Sequence, residues 1–380
     1  MPHMTGAKAP QFPEGWDPNA YSDIRTSGSI GDSRNWAAAL GNMAVGAADW
    51  SSMATATAAA DPLRDLNKLL ETFDFDNSTD EDVLACEREV FKSVKKEAGE
   101  LTGSWLTSGL VQSCVLRHPS LPDALAALLS GKVHEPLPGA FAYSSVGGTR
   151  AEVATAEEAL RDTMKRIFCE PAVRRAIVSD LVKVLVVDPA ADGLLQPMLF
   201  FKGFHALTTY RVGHSLWCDG SPASRGAALM LQSRAAELFG VDIHPGASIG
   251  NGVMLDHASG IVIGSTAVVG SDVYMLHGTT LGATGKPTFG AKRHPTIGSR
   301  VVLGAGCTVL GDITVGDDCT VGAAGIVTKD VPAGSTVVGV NKIVSREEPP
   351  PDSEAAAKSA EPSLANVKVS DDDYTWMYDI

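Results

Sequence analysis

The chain has no apolar run long enough to cross a membrane and no excess of basic residues. Its formal net charge is −14, which argues against nucleic acid or an anionic membrane surface as a partner. The N-terminus also lacks the charged-then-apolar pattern of a secretory signal. These absences favour a cytoplasmic protein whose partners are small molecules or other proteins.

Cysteine is sparse and scattered. The six cysteines are Cys86, Cys114, Cys169, Cys218, Cys307 and Cys319. None of their spacings is typical of a metal site, so we expect free thiols in a reducing compartment and no bound metal.

Apolar residues recur every six positions between Asp242 and Val340. A period of six fits neither the 3.6-residue period of a helix nor the alternation of a long strand. It is typical of a solenoid in which each unit is one short strand and one turn, and three units form a triangular coil. The repeat is carried by Ile263, Val269, Met275, Leu281, Ile297, Leu303, Val309, Val315, Val321 and Val327. We therefore predict a left-handed parallel β-helix.

The repeat is interrupted after Leu281, and loops that leave a rigid scaffold often carry function. Leu281 and Ile297 are sixteen residues apart, about ten more than one repeat unit. The added segment contains Lys286, Arg293 and His294.

A second interruption lies between Ile249 and Ile263, which are fourteen residues apart, two more than two repeat units. It surrounds the segment Leu-Asp-His-Ala-Ser-Gly at 255–260. Each interruption contains a histidine, His257 in this one and His294 in the other, so we look for chemistry at both.

Composition divides the chain into four parts. Residues 1–60 are rich in Gly, Ala, Ser and Pro and predict a flexible extension, for which organelle targeting stays open. Residues 61–240 show helical spacing of apolar residues, including one predicted helix over Leu199–Asp219, and residues 241–345 form the β-helix. Residues 346–380 hold nine acids against three bases and predict a disordered acidic tail. The predicted fold class is α+β, an N-terminal all-α domain followed by the β-helix.

Several ordered segments resemble the serine O-acetyltransferases, which are hexapeptide-repeat acyltransferases. The segments are Val-Asp-Ile-His-Pro (241–245), Met-Leu-Asp-His-Ala-Ser-Gly (254–260), Leu-Gly-Ala-Thr-Gly-Lys (281–286), Arg-His-Pro (293–295) and residues 199–217. The similarity covers roughly residues 80–345 and the extreme C-terminus. It implies transfer of acetyl from acetyl-CoA to L-serine, the first step of cysteine biosynthesis. It also implies homotrimers or dimers of trimers, and L-cysteine as a feedback inhibitor.

A serine hydroxyl is a weak nucleophile near neutral pH, so its attack on a thioester needs a positioned general base. His257 is our candidate, because the ordinary pKa of histidine lies near the working pH. The resemblance assigns Asp242 to its other ring nitrogen, where an acid fixes the tautomer and stabilises the imidazolium. We expect direct attack on the thioester without an acyl-enzyme, and a backbone amide that stabilises the oxyanion.

A free amino acid brings an ammonium group and a carboxylate to the site. Acids suit the first, and a cationic fork or an imidazole suits the second. The resemblance assigns the ammonium to Asp188 and Asp256, and the carboxylate to Arg293 and His294.

Coenzyme A needs an extended groove with small residues along its wall. The residues that match the family's groove are Gly282, Gly285, Lys286, Ala305 and Ala323. The chain departs from the family at Ala283, where a second glycine is usual, and in the length of the loop that follows.

The C-terminus Asp-Tyr-Thr-Trp-Met-Tyr-Asp-Ile resembles family tails that dock into O-acetylserine sulfhydrylase, a pyridoxal-phosphate enzyme. Aromatic anchors and a free carboxylate at the end of an acidic linker make a suitable peptide ligand. We therefore expect Trp376, Tyr378 and Ile380 to bind that partner.

Three other interpretations stay open. One is an acetyltransferase for another hydroxyl acceptor, homoserine or a sugar. Another is a non-catalytic scaffold that regulates the sulfhydrylase through the tail. The third is a γ-type carbonic anhydrase that binds zinc through His257, His277 and His294.

Overall fold

The structure is a computed structural model that describes residues 73–134, 150–188, 190–285 and 292–344. Its first part is helical. The helices are α1 (Asp80–Glu100), α2 (Trp105–Val111), α3 (Leu121–Val133), α4 (Arg150–Phe168), α5 (Pro171–Val187), α6 (Leu195–Phe200), α7 (Lys202–Asp219) and α8 (Pro222–Phe239), with a 3-10 turn at Leu101–Gly103 and a π-helical turn at Gln112–Leu116. Within the described ranges, no helix has the length and apolar character that a membrane crossing needs.

The helix ends are set by local sequence. At the start of α1, Asp82 N donates to the Thr79 hydroxyl at 3.2 Å and Thr79 N donates to the Asp82 carboxylate at 3.0 Å. Helices α7 and α8 end at glycines with positive φ, Gly220 at 80° and Gly240 at 68°. The second of these glycines leads directly into the first strand.

The prediction of a single helix over Leu199–Asp219 is wrong. The chain forms two helices there, α6 and α7, with a break at Phe201. The backbone of Phe201 is extended, with φ −82° and ψ 109°. The break lets α7 approach the solenoid so closely that a β-carbon on Gly203 would stand 1.9 Å from the Leu255 carbonyl oxygen. Contact with the solenoid therefore overrides the helical spacing of the sequence.

The second part consists of short strands. They are β1 (Val241–Ile243), β2 (Ser248–Ile249), β3 (Met254–Asp256), β4 (Ile261–Ile263), β5 (Val268–Val269), β6 (Tyr274–Leu276), β7 (Thr280–Gly282), β8 (Thr296–Ile297), β9 (Val302–Leu303), β10 (Thr308–Leu310), β11 (Thr314–Val315), β12 (Thr320–Val321), β13 (Ile326–Val327), β14 (Thr336–Val338) and β15 (Lys342–Val344).

These strands make a parallel solenoid with three faces. The first sheet has the order β1-β4-β7-β10-β13, one strand from each of five turns. The second has β11-β8-β5-β2, and the third has β15-β14-β12-β9-β6-β3, closed by an antiparallel pairing of β14 with β15. The residues of the six-residue repeat point inward and are buried. The predicted fold class is confirmed.

A buried ion pair fastens the helices to the solenoid. Arg211 on α7 donates to both carboxylate oxygens of Asp180 on α5, at 2.7 and 3.0 Å. The Asp180 carboxylate also accepts from Val253 N at 2.9 Å, and Arg211 donates to the carbonyl oxygens of Ile249 and Gly250 at 3.2 and 2.7 Å. Burial raises the pKa of Asp180, and the guanidinium of Arg211 opposes that effect.

Candidate active site

The chain passes from the third sheet to the first at a corner that we call the His257 edge. On this edge successive turns are joined by backbone hydrogen bonds, from Gly278 N to the Ser259 carbonyl at 2.9 Å and from Gly306 N to the His277 carbonyl at 2.8 Å. Ser259 therefore occupies the position that His277 has one turn later. His257 and Ala258 are the two additional residues of the interrupted repeat.

Both additional residues have a left-handed backbone. The φ angle is 53° at His257 and 53° at Ala258, a conformation that side-chain-bearing residues seldom adopt. The bulge buries the Ala258 methyl and leaves the His257 side chain 76% exposed. The imidazole lies edge-on to the ring of His277, with 6.0 Å between centroids.

The Asp256 carboxylate lies beside the bulge. His257 Nε2 lies 3.8 Å from Asp256 Oδ1, and the other oxygen, Oδ2, accepts a hydrogen bond from the Tyr274 hydroxyl at 2.7 Å. The pKa of Tyr274 is raised by burial first, then by its hydrogen bond to Asp256 and by the charges of Asp256 and Asp188. Asp188, at the end of α5, is thus close enough to act electrostatically on the same phenol.

The helical domain contacts the bulge from the other side. Lys202, the first residue of α7, donates from Nζ to the Ser259 hydroxyl. Ser259 directly follows the two left-handed residues, so the start of α7 holds the end of the bulge in place.

The corner between the first and second sheets is the His294 edge. The long loop after Leu281 rejoins the coil here, and Lys292 anchors its end. The Lys292 ammonium donates to the His294 carbonyl at 2.8 Å and to the Thr296 hydroxyl at 2.7 Å. It also lies 3.2 Å from Asp312 Oδ1.

The His294 side chain is buried, 6% exposed, beside Thr266. Thr266 N donates to His294 Nδ1 at 3.2 Å, so in the neutral ring the proton lies on Nε2. The pKa of His294 is lowered by burial first and then by the charges of Arg293, His244 and Lys292. These effects favour the neutral imidazole, which can donate from Nε2.

Asp242 lies on the first sheet, between the two edges. Gln232 on α8 donates from Nε2 to Asp242 Oδ1 at 2.6 Å, and this single chain forms no Asp242–His257 hydrogen bond among its described residues. Burial lowers the pKa of His244, and the positive charge of Arg293 lowers it further. The negative charge of Asp242 raises it in opposition. Asp242, His244, Arg293 and His294 thus form one electrostatically connected group.

The predicted groove residues divide between the two edges. Ala305 and Ala323 lie on the His257 edge, where Ala324 N donates to the Ala305 carbonyl at 2.8 Å. Gly282 ends β7 on the other side of the first sheet and pairs with Leu310. Gly285 follows with φ 74° and open space around it. The small side chains on the His257 edge continue the line of His257 and His277 along the solenoid.

Comparison with known proteins identifies the family of the chain. The family model described as serine acetyltransferase, N-terminal, matches residues 90–209. A serine acetyltransferase of Buchnera aphidicola subsp. Acyrthosiphon pisum is 42% identical over 243 residues, which is 63% of this chain and 81% of that protein. The chain belongs to the serine acetyltransferase family.

Solved structures of the same family share the fold. Soybean serine acetyltransferase complexed with serine is 38% identical, with a TM-score of 0.60 over 68% of this chain and 98% of that one. A serine acetyltransferase complexed with cysteine is 35% identical, with a TM-score of 0.60 over 68% of this chain and 100% of that one. The protein is therefore an acyltransferase, and acetyl-CoA is the co-substrate of its family.

The sequence signals found some site residues and missed others. The chain places Asp256 beside His257 at one edge, and Asp188 acts electrostatically on the Tyr274 phenol that binds Asp256. Arg293 and His294 lie at the other edge, and Asp242 lies between the two. Lys286, Trp376, Tyr378 and Ile380 lie outside the described residues, as do residues 1–60 and 346–380. No three His, Cys, Asp or Glu side chains in the described ranges form a group that would hold a metal ion.

Tyr274 and Gln232 were not singled out by the sequence, and Lys202 and His244 were quoted within motifs without a role. Each acts through a contact with another turn or another helix. Their sequence signal was limited to a polar residue at an outward position of the repeat or on a helix.

Proposed function

We propose that this protein transfers the acetyl group of acetyl-CoA to the hydroxyl of L-serine, with His257 as the general base. One observation carries the proposal. The two additional residues of the solenoid form a strained bulge that exposes the His257 imidazole beside Asp256, in a chain of the serine acetyltransferase family. Backbone strain of this kind is concentrated at functional sites, where the surrounding structure maintains it.

In the proposed reaction, His257 removes the proton from the serine hydroxyl as its oxygen attacks the acetyl carbonyl. CoA leaves as the thiolate, and the proton returns from the imidazolium to the departing sulfur. No acyl-enzyme forms. A backbone amide stabilises the tetrahedral oxyanion, and small residues along the His257 edge, Ala305 and Ala323, leave room for the pantetheine arm.

The substrate's charges match the two groups of side chains. Asp188 and Asp256 offer carboxylates for the ammonium, while Arg293 and the Nε2–H of His294 offer donors for the carboxylate. These two pairs lie at different edges of the coil, separated by the width of the first sheet. We therefore propose that the site is completed between copies, with the His257 edge of one protomer facing the His294 edge of its partner in a trimer.

The contact between Asp242 and His257 is part of this proposal. Its Oδ1 is engaged by Gln232. We propose that the His257 imidazole reaches this carboxylate when substrate binds, because catalytic hydrogen bonds often tighten only in the complex.

Two protein-level roles belong to the same proposal. L-cysteine, which resembles serine in its ammonium and carboxylate, would compete for the serine site and act as a feedback inhibitor. The C-terminal residues Trp376, Tyr378 and Ile380 would dock into O-acetylserine sulfhydrylase.

An acceptor panel tests the substrate. CoA thiol release is measured from acetyl-CoA with L-serine, L-homoserine or a galactoside. The proposal expects release with L-serine at the highest kcat/KM. A higher kcat/KM with another acceptor would make that acceptor the substrate in place of serine. Absence of CoA release with all three would favour the scaffold interpretation.

Mixed assemblies test the shared site. His257→Ala and Arg293→Ala are each expected to be nearly inactive, but co-expressed and co-purified together they should regain part of the wild-type rate. Recovery occurs because some interfaces in a mixed trimer carry both intact edges. A mixture no more active than the two variants measured separately would contradict a site shared between protomers.

A further inference from the structure

Tyr274 and Asp256 face outward on the third sheet, on neighbouring turns. The strand register pairs Asp256 with Leu276, so Tyr274 lies two positions away on the diagonal. At this spacing a long side chain can still reach across, and the phenol does so, donating to Asp256 Oδ2 at 2.7 Å.

The hydrogen bond gives the two oxygens of Asp256 different surroundings. Oδ2 is held by Tyr274, while Oδ1 lies 3.8 Å from His257 Nε2. The Asp256 side chain is only 18% exposed, so water has limited access to replace the phenol. The Tyr274 ring is itself half-buried, and burial raises the pKa of its hydroxyl. The phenol therefore remains a hydrogen-bond donor throughout the physiological pH range.

We infer that Tyr274 is a positioning residue for recognition of the substrate ammonium, because it fixes the Asp256 carboxylate with one oxygen presented beside His257. The inference rests on the proposed function. It adds a residue that does not touch the reacting atoms and acts through Asp256.

Removing the hydroxyl should affect serine binding rather than the chemical step. Without it, the Asp256 carboxylate is free to rotate and loses a charge-assisted hydrogen bond. In Tyr274→Phe we expect the KM for serine to rise roughly tenfold, since a hydrogen bond to a charged group contributes on that order. The kcat should change by less than about threefold and the KM for acetyl-CoA should stay the same, as expected for loss of uniform binding.

Tyr210→Phe is the matched control. It removes the same atom from a buried tyrosine whose hydroxyl donates to the Ala247 carbonyl at 2.7 Å, at the junction between α7 and the solenoid. This control should lower the melting temperature without raising the KM for serine. A merely structural role of Tyr274 would give the same pattern as the control.

Ammonium recognition is tested with 3-hydroxypropionate, which is serine without its amino group. The wild-type preference for serine over this acceptor, as a ratio of kcat/KM values, should shrink roughly tenfold in Tyr274→Phe, by the same loss of a charge-assisted contact. Calorimetric titration with serine alone should show the same weakening, whether or not turnover is altered.

Each outcome decides a separate claim. If the wild type acetylates serine but Tyr274→Phe keeps both its KM for serine and its preference, the inference is wrong and the proposed function stands. If the wild type does not acetylate serine, both the proposed function and this inference are wrong. Equal rises in the KM for serine in Tyr274→Phe and Tyr210→Phe would also overturn the inference.

Discussion

The His294 imidazole lies directly over Gly264, and a β-carbon at position 264 would stand 2.0 Å from the ring atoms Cδ2 and Nε2. Such a separation is far inside van der Waals contact. The ring can occupy its place beside Thr266 only because residue 264 has no side chain. Glycine at this point of the repeat is therefore a requirement of the site.

Gly264→Ala should displace the His294 ring and weaken binding of the serine carboxylate. We expect the KM for serine to rise at least tenfold, on the order of one lost hydrogen bond to a charged group. Gly226→Ala on α8, where a β-carbon meets open space, serves as the control and should leave the KM for serine unchanged. A wild-type KM in Gly264→Ala would show that the His294 ring position does not matter for serine binding.

Lys202→Met should disturb the His257 bulge by removing the donor to the Ser259 hydroxyl. We expect kcat to fall about tenfold, since misplacement of a catalytic group is costly even when its identity is kept. Lys183→Met is the matched control, because Lys183 also bridges the helical domain to the solenoid, through Asp272 at 3.4 Å. Similar kcat values for the two variants would contradict a role for Lys202 in holding the bulge.

Breaking the Asp180–Arg211 pair should destabilise the protein strongly. In Arg211→Met the Asp180 carboxylate is left buried without its partner, and we expect a loss of about 3–5 kcal/mol in the free energy of unfolding. Urea denaturation followed by circular dichroism measures it. The exposed pair of Arg300 with Asp318 provides the comparison, and Arg300→Met should cause little change. Equal losses of unfolding free energy in Arg211→Met and Arg300→Met would contradict a special stabilising role of the Asp180–Arg211 pair.

His205 should make stability depend on pH. Burial lowers the pKa of His205 from its ordinary 6.5 to about 4, and its Nε2 lies 2.8 Å from the Met198 carbonyl. Between about pH 4 and pH 6.5, the His205 side chain binds a proton in the unfolded chain but not in the folded chain. Stability from this group is therefore complete above about pH 6.5 and is lost as the pH falls toward 4, by on the order of 3 kcal/mol.

Unfolding free energies measured between pH 4.5 and 7 for wild type and His205→Gln test this expectation, because glutamine cannot titrate. The wild-type curve should fall more steeply toward low pH than the variant's. Parallel curves would show that His205 does not contribute to the pH dependence.

Deletion of residues 376–380 should abolish binding to O-acetylserine sulfhydrylase and leave acetyl transfer intact. Surface plasmon resonance with the sulfhydrylase immobilised measures the first, and CoA release measures the second. Replacement of Ile380 alone by Glu is a smaller change with the same expected direction. Unchanged binding after the deletion would show that the tail does not dock.

The repeat predicted the solenoid because inward packing of a coil requires an apolar residue at every sixth position, whatever the residues between. The two-residue excess before Ile263 likewise indicated an irregular corner, and the structure shows it as the bulge of His257 and Ala258. The helix break at Phe201 was missed because it depends on how closely Gly203 packs on Leu255, a contact that helical spacing does not contain.

The side-chain partners of the site were harder to predict than its location. Asp256 accepts a hydrogen bond from Tyr274, which lies on the next turn of the solenoid. Asp242 accepts one from Gln232, which lies on a helix of the other domain. The family resemblance suggested Asp242 for His257, a contact that stays a prediction.

The central claim is that His257 is the base in a direct transfer to serine. Serine-dependent CoA release from acetyl-CoA by His257→Ala tests it most directly, with His118→Ala, a substitution of a histidine in the helical domain, as the control. We expect kcat to fall by roughly 10²–10⁴-fold in His257→Ala and to remain near wild type in His118→Ala. Retention of serine-dependent release in His257→Ala would contradict the account.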